Sequence, residues 1–254
     1  MKPYQFEHLK ALPELVHGVS TAEYGNMSFI YGEPDEVKSS RDKFFQDLGV
    51  KSNQAVVTSL LHGDKINLVD ETDRGKGIIE ADSSLMGDIL VTSKPDTYLF
   101  MVVADCLALF FYDQVNKVVA LAHAGWKGVD QEVPFKTAFY LMKEHGCKAE
   151  NILVGMSPAL QKESACFETV DQRATPERKA KWNKYLSEKD NLVCVDTVSF
   201  AFDQLRSLGI PEHNIERSPI DTRTNTEFFS HRRSAETGEP EQRFACLIGF
   251  KSAD

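Results

Sequence analysis

Residues 98–112 read YLFMVVADCLALFFY, and after the polar connection Asp113-Gln-Val-Asn-Lys117 the chain resumes as VVALA over 118–122. The first run is the most apolar in the chain. It is rich in aromatic and β-branched residues and bounded by turn formers, which reads as buried strand; a membrane helix needs about 20 apolar residues. Asp105 and Cys106 in its middle are the anomalies. The connection has hairpin length. If Tyr112 pairs with Val118, Cys106 falls opposite Ala124, and a shift of one residue puts it opposite His123. Either register makes Cys106 and His123 near neighbours. Cross-strand Cβ atoms lie about 4.5–5.5 Å apart, so a thiolate and an imidazole there can share a proton or a metal if they face the same side. The parity is left open.

Outward from this hairpin, strand-like runs cover 55–61, 87–92, 99–112, 118–122, 152–156, 192–195 and 244–249. Helix-like runs cover 34–48, 133–145, 176–187 and 197–208. In the last, Val198, Phe202, Leu205 and Leu208 recur near the helical period, and Gly209 is placed to end it. The mixture indicates an α+β or α/β class. No repeat, low-complexity tract or linker divides the chain, so one domain over 1–254 is expected.

The 254 residues carry 29 Lys plus Arg against 38 Asp plus Glu, a net charge of −9. Such a surface disfavours general nucleic-acid binding, which draws its affinity from basic groups displacing counterions. With 42% hydrophobic and 26% charged residues, disorder is excluded too. The cysteines stand at 106, 147, 166, 194 and 246. An odd count, wide spacing and no CxxC argue against a disulfide framework and a zinc ribbon, and fit a reducing cytosol. The N-terminal MKPYQFEHLKALPELVHG mixes charges where a secretory signal needs an apolar core. An uncleaved, cytoplasmic protein without a membrane segment is expected.

Three residues stand out chemically. His123-Ala-Gly-Trp-Lys-Gly128 takes a strand into a small-residue turn, which lets a ligand approach the backbone; it equally suits a strand end with a partly buried histidine. Cys106 is as readily a core residue. His62 ends another apolar run and is compatible with a surface turn. Asp88 and Asp105 carry charge within apolar segments, where a carboxylate needs a partner, so one of them is expected to orient a ligand histidine.

Together these pieces resemble one family. Val103-Ala-Asp-Cys106, followed by His123-Ala-Gly-Trp-Lys-Gly128 and preceded by His62-Gly63, is similar to the YfiH family, formerly called laccase-domain or polyphenol oxidoreductase proteins. His17-Gly18, Asn26, the 37–41 segment, Gly87–Thr92, Gly155 with Ser157-Pro158, Cys166-Phe-Glu168 and Phe228-Phe-Ser-His-Arg-Arg233 extend the resemblance over most of the chain. The resemblance implies an α+β fold, a β-sandwich core flanked by helices and shared with cysteine-hydrolase toxins. It also implies a zinc site of His62, Cys106 and His123, acting in phosphorolysis of adenosine, inosine, guanosine and methylthioadenosine and in deamination of adenosine. Two imidazoles and a thiolate are good zinc ligands, and a three-ligand site leaves a fourth position for water, phosphate or substrate. Zinc lowers the pKa of bound water to about 7. Asn26, Arg41 and Lys127 match positions expected to contact the nucleoside and phosphate, with Lys127 replacing the family's usual Arg, and Arg232 and Arg233 are additional candidate anion contacts.

Two further readings use the same residues: a cysteine-dependent hydrolase that edits peptidoglycan precursors, and a metal-binding interaction module without turnover. Conventional laccase chemistry is disfavoured, because its copper centres require about ten histidines and the chain has seven. A single copper in the His/Cys/His set remains chemically reasonable. Leu60, Ala108, Asp221-Thr222 and Thr237-Gly-Glu239 depart from the family pattern around the pocket.

Overall fold

The structure, a computed structural model, describes residues 1–252 and divides the apolar run 98–112 between two sheets. A five-stranded sheet has the order β1 (Leu15–Val19), β14 (Phe244–Phe250), β6 (Tyr98–Val103), β2 (Ala55–Ser59), β4 (Leu85–Met86). A six-stranded sheet has the order β13 (Ile215–Arg217), β9 (Ile152–Met156), β7 (Leu107–Asp113), β8 (Val118–Ala124), β5 (Ile89–Thr92), β3 (Ile66–Leu68). A small third sheet orders β10 (Cys166–Phe167), β12 (Leu192–Val195), β11 (Leu186–Lys189). The helices are α1 (Glu7–Lys10), α2 (Pro34–Leu48), α3 (Trp126–Asp130), α4 (Val133–His145), α5 (Pro176–Trp182), α6 (Thr197–Ser207) and α7 (His231–Thr237). Parallel and antiparallel pairs are mixed, giving a mixed α/β architecture.

Alternation along β7 explains why its sequence shows no polar face. Ala108, Phe110 and Tyr112 join Leu99, Met101, Cys246 and Ile248 of the five-stranded sheet in one buried cluster. Leu107, Leu109 and Phe111 pack with Val133, Leu141, Ala201 and Leu205 of α4 and α6. A strand buried on both faces reads as a continuous apolar run. On the far side, Phe44 and Phe45 of α2 cover Phe100, Ala245 and Leu247. The helices thus lie outside the two large sheets.

Several expectations change. The strand expected over 99–112 is interrupted at Ala104-Asp105-Cys106, where Asp105 has φ +71°, a left-handed conformation that Asp tolerates better than most residues. The chain leaves one sheet there and enters the other. The hairpin register is also displaced. Tyr112 pairs with Val119, and Asp113 with Val118, because Asp113 closes a tighter turn by accepting the N–H groups of Val115 and Asn116. His123 therefore pairs with Ala108 and Ala124 with Leu107, leaving Cys106 just beyond the ladder.

Helices α2 and α4 occupy 34–48 and 133–145, as their patterns indicate, each opened by Pro in its first turn and closed by a left-handed Gly. The helix expected over 176–187 stops at Trp182, and Leu186–Lys189 instead forms a hairpin with β12. Its two turn residues, Asp190 and Asn191, both have positive φ, the pattern of a type I′ turn. Strand pairing sets Cys166 opposite Cys194, and a disulfide joins them, against the expectation of none. Spacing along the chain does not reveal a pair created by register.

Candidate active site

The side chains of His62, Cys106 and His123 converge, with one ligand atom of each within 4.8 Å of the others. Each comes from a different place: the loop after β2, the crossing between β6 and β7, and the end of β8. His123 is buried, Cys106 half-buried and His62 exposed. The two imidazole rings meet edge to face at 4.9 Å between centroids.

Asp88 builds the histidine side of the site. Its carboxylate, wholly buried, accepts the Nδ1 proton of His123 at 2.9 Å and the N–H groups of Leu61, His62 and Gly63 at 3.2, 2.9 and 2.8 Å. Its main-chain carbonyl also accepts the His123 N–H at 2.8 Å. One carboxylate therefore fixes the His62 loop, where His62 has φ +58°, and turns Nε2 of His123 toward Cys106. This is the histidine-orienting role expected of either Asp88 or Asp105. Burial would raise the Asp88 pKa, but His123 and these N–H groups hold it below the ordinary carboxylate value.

Asp105 instead fixes the cysteine. It accepts the Thr222 hydroxyl at 2.6 Å and the Arg232 main-chain N–H at 2.6 Å, while its carbonyl accepts the Leu160 N–H. The turn presenting Cys106 is thus held from α7 and the 222 region. Burial works against charge on both Cys106 and His123, yet each supplies the other's counterion. The thiol falls to about 6 and the imidazole rises to about 9. Gly125, part of the small-residue turn after β8, is required here for a specific reason. A Cβ there would stand 2.8 Å from the Cys106 Sγ and 3.8 Å from His123 Nε2.

Two cavities flank the centre. One of about 240 Å³, on the His62 side, is lined by Arg41, Arg243, Phe29 and Tyr31. The other, about 290 Å³ on the Cys106 side, is lined by Trp126, Phe167 and Val198 among others. Arg41 is buried and spends four N–H bonds on the carbonyls of Met27, Gly77 and Ile78, with its guanidinium 4.3 Å from the centroid of Phe29. Burial lowers its pKa to about 10. It brings charge to the cavity wall more than a free planar fork. Asn26 does not line either cavity; its amide closes a turn with Ser28 and accepts the Arg243 N–H. Lys127 is exposed beside Trp126, outside both cavities. Arg232 and Arg233 are engaged by main-chain carbonyls and by Glu236 and Glu239. Arg243 had no distinguishing pattern in the sequence.

The donor set fits one first-row metal ion. Nε2 of His123 is left available once Asp88 takes Nδ1, and zinc bonds of about 2.0–2.3 Å require only a modest closing movement. The exposed His62 can supply it.

The model of the family described as multi-copper polyphenol oxidoreductase laccase matches residues 14–251. Purine nucleoside phosphorylase YlmD of Bacillus subtilis (strain 168) is 26% identical, over 93% of this chain and 86% of that protein. Adenosine deaminase RL5, from an unknown prokaryotic organism, is 28% identical over 78% of this chain and 76% of its own. The crystal structure of YlmD from Geobacillus stearothermophilus superposes with a TM-score of 0.85 at 24% identity, covering 94% of this chain and 93% of that one. The hypothetical protein YfiH of Bacillus licheniformis gives 0.83 at 24% identity, with 93% of each chain covered. These two share the fold. With the matched span covering nearly all of its length, the chain belongs to the laccase-domain family in which YfiH and YlmD are found.

Proposed function

We propose that the protein is a zinc-dependent purine nucleoside phosphorylase, acting on adenosine, inosine, guanosine and methylthioadenosine, and that it deaminates adenosine at the same centre. The observation carrying this reading is the convergence of His62, Cys106 and His123 with Asp88 behind His123. A three-ligand set leaves one coordination position open, as catalytic zinc sites do. Zinc held there supplies a Lewis acid toward a phosphate or water oxygen. The remaining work belongs to the chain. Asp88 fixes the His123 tautomer and ring plane, and Asp105 holds the cysteine turn. Arg41 and Arg243 bring positive charge to the His62-side cavity, where an anionic co-substrate would gather. Copper is the alternative ion for the same ligands. The names of the relatives YlmD and RL5 support purine nucleoside chemistry.

A second reading draws on one feature. Cys106, His123 and Asp88 stand in the order of nucleophile, base and orienting carboxylate, as in a cysteine hydrolase; the substrate would then be a peptidoglycan precursor. Adenosine incubated with zinc-loaded protein separates the readings. Adenine formed only when phosphate is present supports phosphorolysis, and inosine supports deamination. Formation of neither product refutes the proposal and leaves the hydrolase reading.

A further inference from the structure

The Cys106-side cavity contains a polar group that the metal site does not use. Gln172 lines it at 4% exposure, and its carboxamide has no hydrogen-bond partner among the described residues. Buried Asn214 donates to the carbonyls of Glu150 and Ile152, and buried Gln204 donates to that of Val129 while its own Oε1 lacks a partner. The Gln172 amide is not among the fully buried unpartnered groups, so it is reachable from the cavity, where water or a ligand can complete it.

We propose that this cavity receives the purine base and that Gln172 hydrogen-bonds the base edge, which makes Gln172 a specificity-determining residue. The inference rests on the phosphorylase reading above. Three features point the same way. Trp126, Phe167, Leu160 and Val198 supply flat or aliphatic walls for a planar ring, and the volume of about 290 Å³ lies at the small end of ligand pockets. Among the described residues no Lys or Arg lines this cavity, whose charged lining residues are Asp105 and Asp171, whereas Arg41 and Arg243 line the other. An anion belongs on the His62 side and an uncharged ring on the Cys106 side, with the centre between them. A carboxamide presents one acceptor and one donor group and can turn over, so it complements either a 6-amino or a 6-oxo purine. That ambivalence matches a substrate range containing both adenosine and inosine.

The test uses calorimetric binding of free adenine and free hypoxanthine to the zinc-loaded full chain, with KM for adenosine and inosine alongside. Gln172→Glu offers only acceptors, so at the 6-position it keeps a bond from the 6-amino group and loses the one to a 6-oxo group. Hypoxanthine affinity should fall about tenfold, while adenine stays within about threefold, so the preference ratio shifts about tenfold toward the 6-amino base. Gln172→Leu should weaken both bases about fivefold to tenfold. A purely structural role for Gln172 would not change the ratio. If wild type binds neither base, or if both variants keep the wild-type affinities and ratio, the cavity assignment is overturned. If wild type turns over no nucleoside yet binds both bases with a ratio that Gln172→Glu shifts, the cavity assignment stands and the phosphorylase reading falls.

Discussion

Asp88→Asn is the perturbation whose outcome follows most directly from the hydrogen-bond geometry. The carboxylate has about four acceptor positions, and all are engaged. Oδ1 accepts from His62 N and His123 Nδ1, and Oδ2 accepts from Leu61 N and Gly63 N. An amide replaces one oxygen with a donor, so two of these four N–H groups must face another donor. If the NH2 lies at the Oδ2 position, the N–H groups of Leu61 and Gly63 lose their acceptor and the His62 loop loosens. If it lies at the Oδ1 position, His123 must shift its proton to Nε2, the nitrogen that faces Cys106. Two N–H groups without acceptors at about 1–3 kcal/mol each, taken near the lower end because the loop is part-exposed, give about 2–4 kcal/mol of lost stability. For a chain of this size that is about 4–16 °C in Tm. Loss of the orienting carboxylate should weaken zinc binding about 10- to 100-fold. Chelator competition reads the affinity, and urea unfolding of the metal-free protein reads the stability. A variant that binds zinc within about threefold of wild type and loses less than about 1 kcal/mol would refute this account of Asp88.

Three more outcomes are expected. Cys106→Ala should abolish stoichiometric zinc and phosphorolysis while leaving the far-ultraviolet spectrum unchanged, because a core of this size does not depend on one metal; zinc retained at one equivalent would show the ligand assignment to be wrong. Gly125→Ala should press on the sulfur, 2.8 Å from the added carbon, and cost about 1–3 kcal/mol with weakened zinc binding, whereas wild-type values of both would mean that the turn relaxes freely. Glu14 accepts from Tyr112, Gln114 and Lys117; burial opposes its charge, but its own main-chain N–H together with these bonds brings its pKa from 4.5 down to about 2. Its stabilisation is therefore complete above about pH 4.5 and disappears as pH falls toward 2, so Glu14→Gln should flatten the acid limb of a stability–pH curve; an unchanged limb contradicts it.

Much of the fold is readable from local pattern. Helices α2 and α4 carry their own start and stop signals in Pro34, Gly49, Pro134 and Gly146. The strand break at 104–106 is harder, because β6 and β7 are both covered by neighbouring layers and share one unbroken apolar character. Asp105 is its only mark, and its meaning depends on Thr222 and Arg232, more than a hundred residues away in sequence. The Cys166–Cys194 bridge is likewise a consequence of pairing between β10 and β12. The motif carrying His62, Cys106 and His123 brings those three residues together in space. The pocket residues are less transparent, since sequence pattern does not reveal that Asn26 and most of Arg41 are spent on main-chain groups or that Arg243 reaches the same wall.

The anchoring of Asp105 by residues 222 and 232 has an implication for biosynthesis. Strand β14, which follows α7 in the chain, lies between β1 and β6 in the interior of its sheet. A nascent polypeptide that has not yet reached residue 232 has neither that central strand nor the N–H group that pins the cysteine turn. Cys106 therefore acquires its setting only after residue 232 has been synthesised. Prematurely terminated products ending before α7 would carry His62, Cys106 and His123 without the scaffold that aligns them.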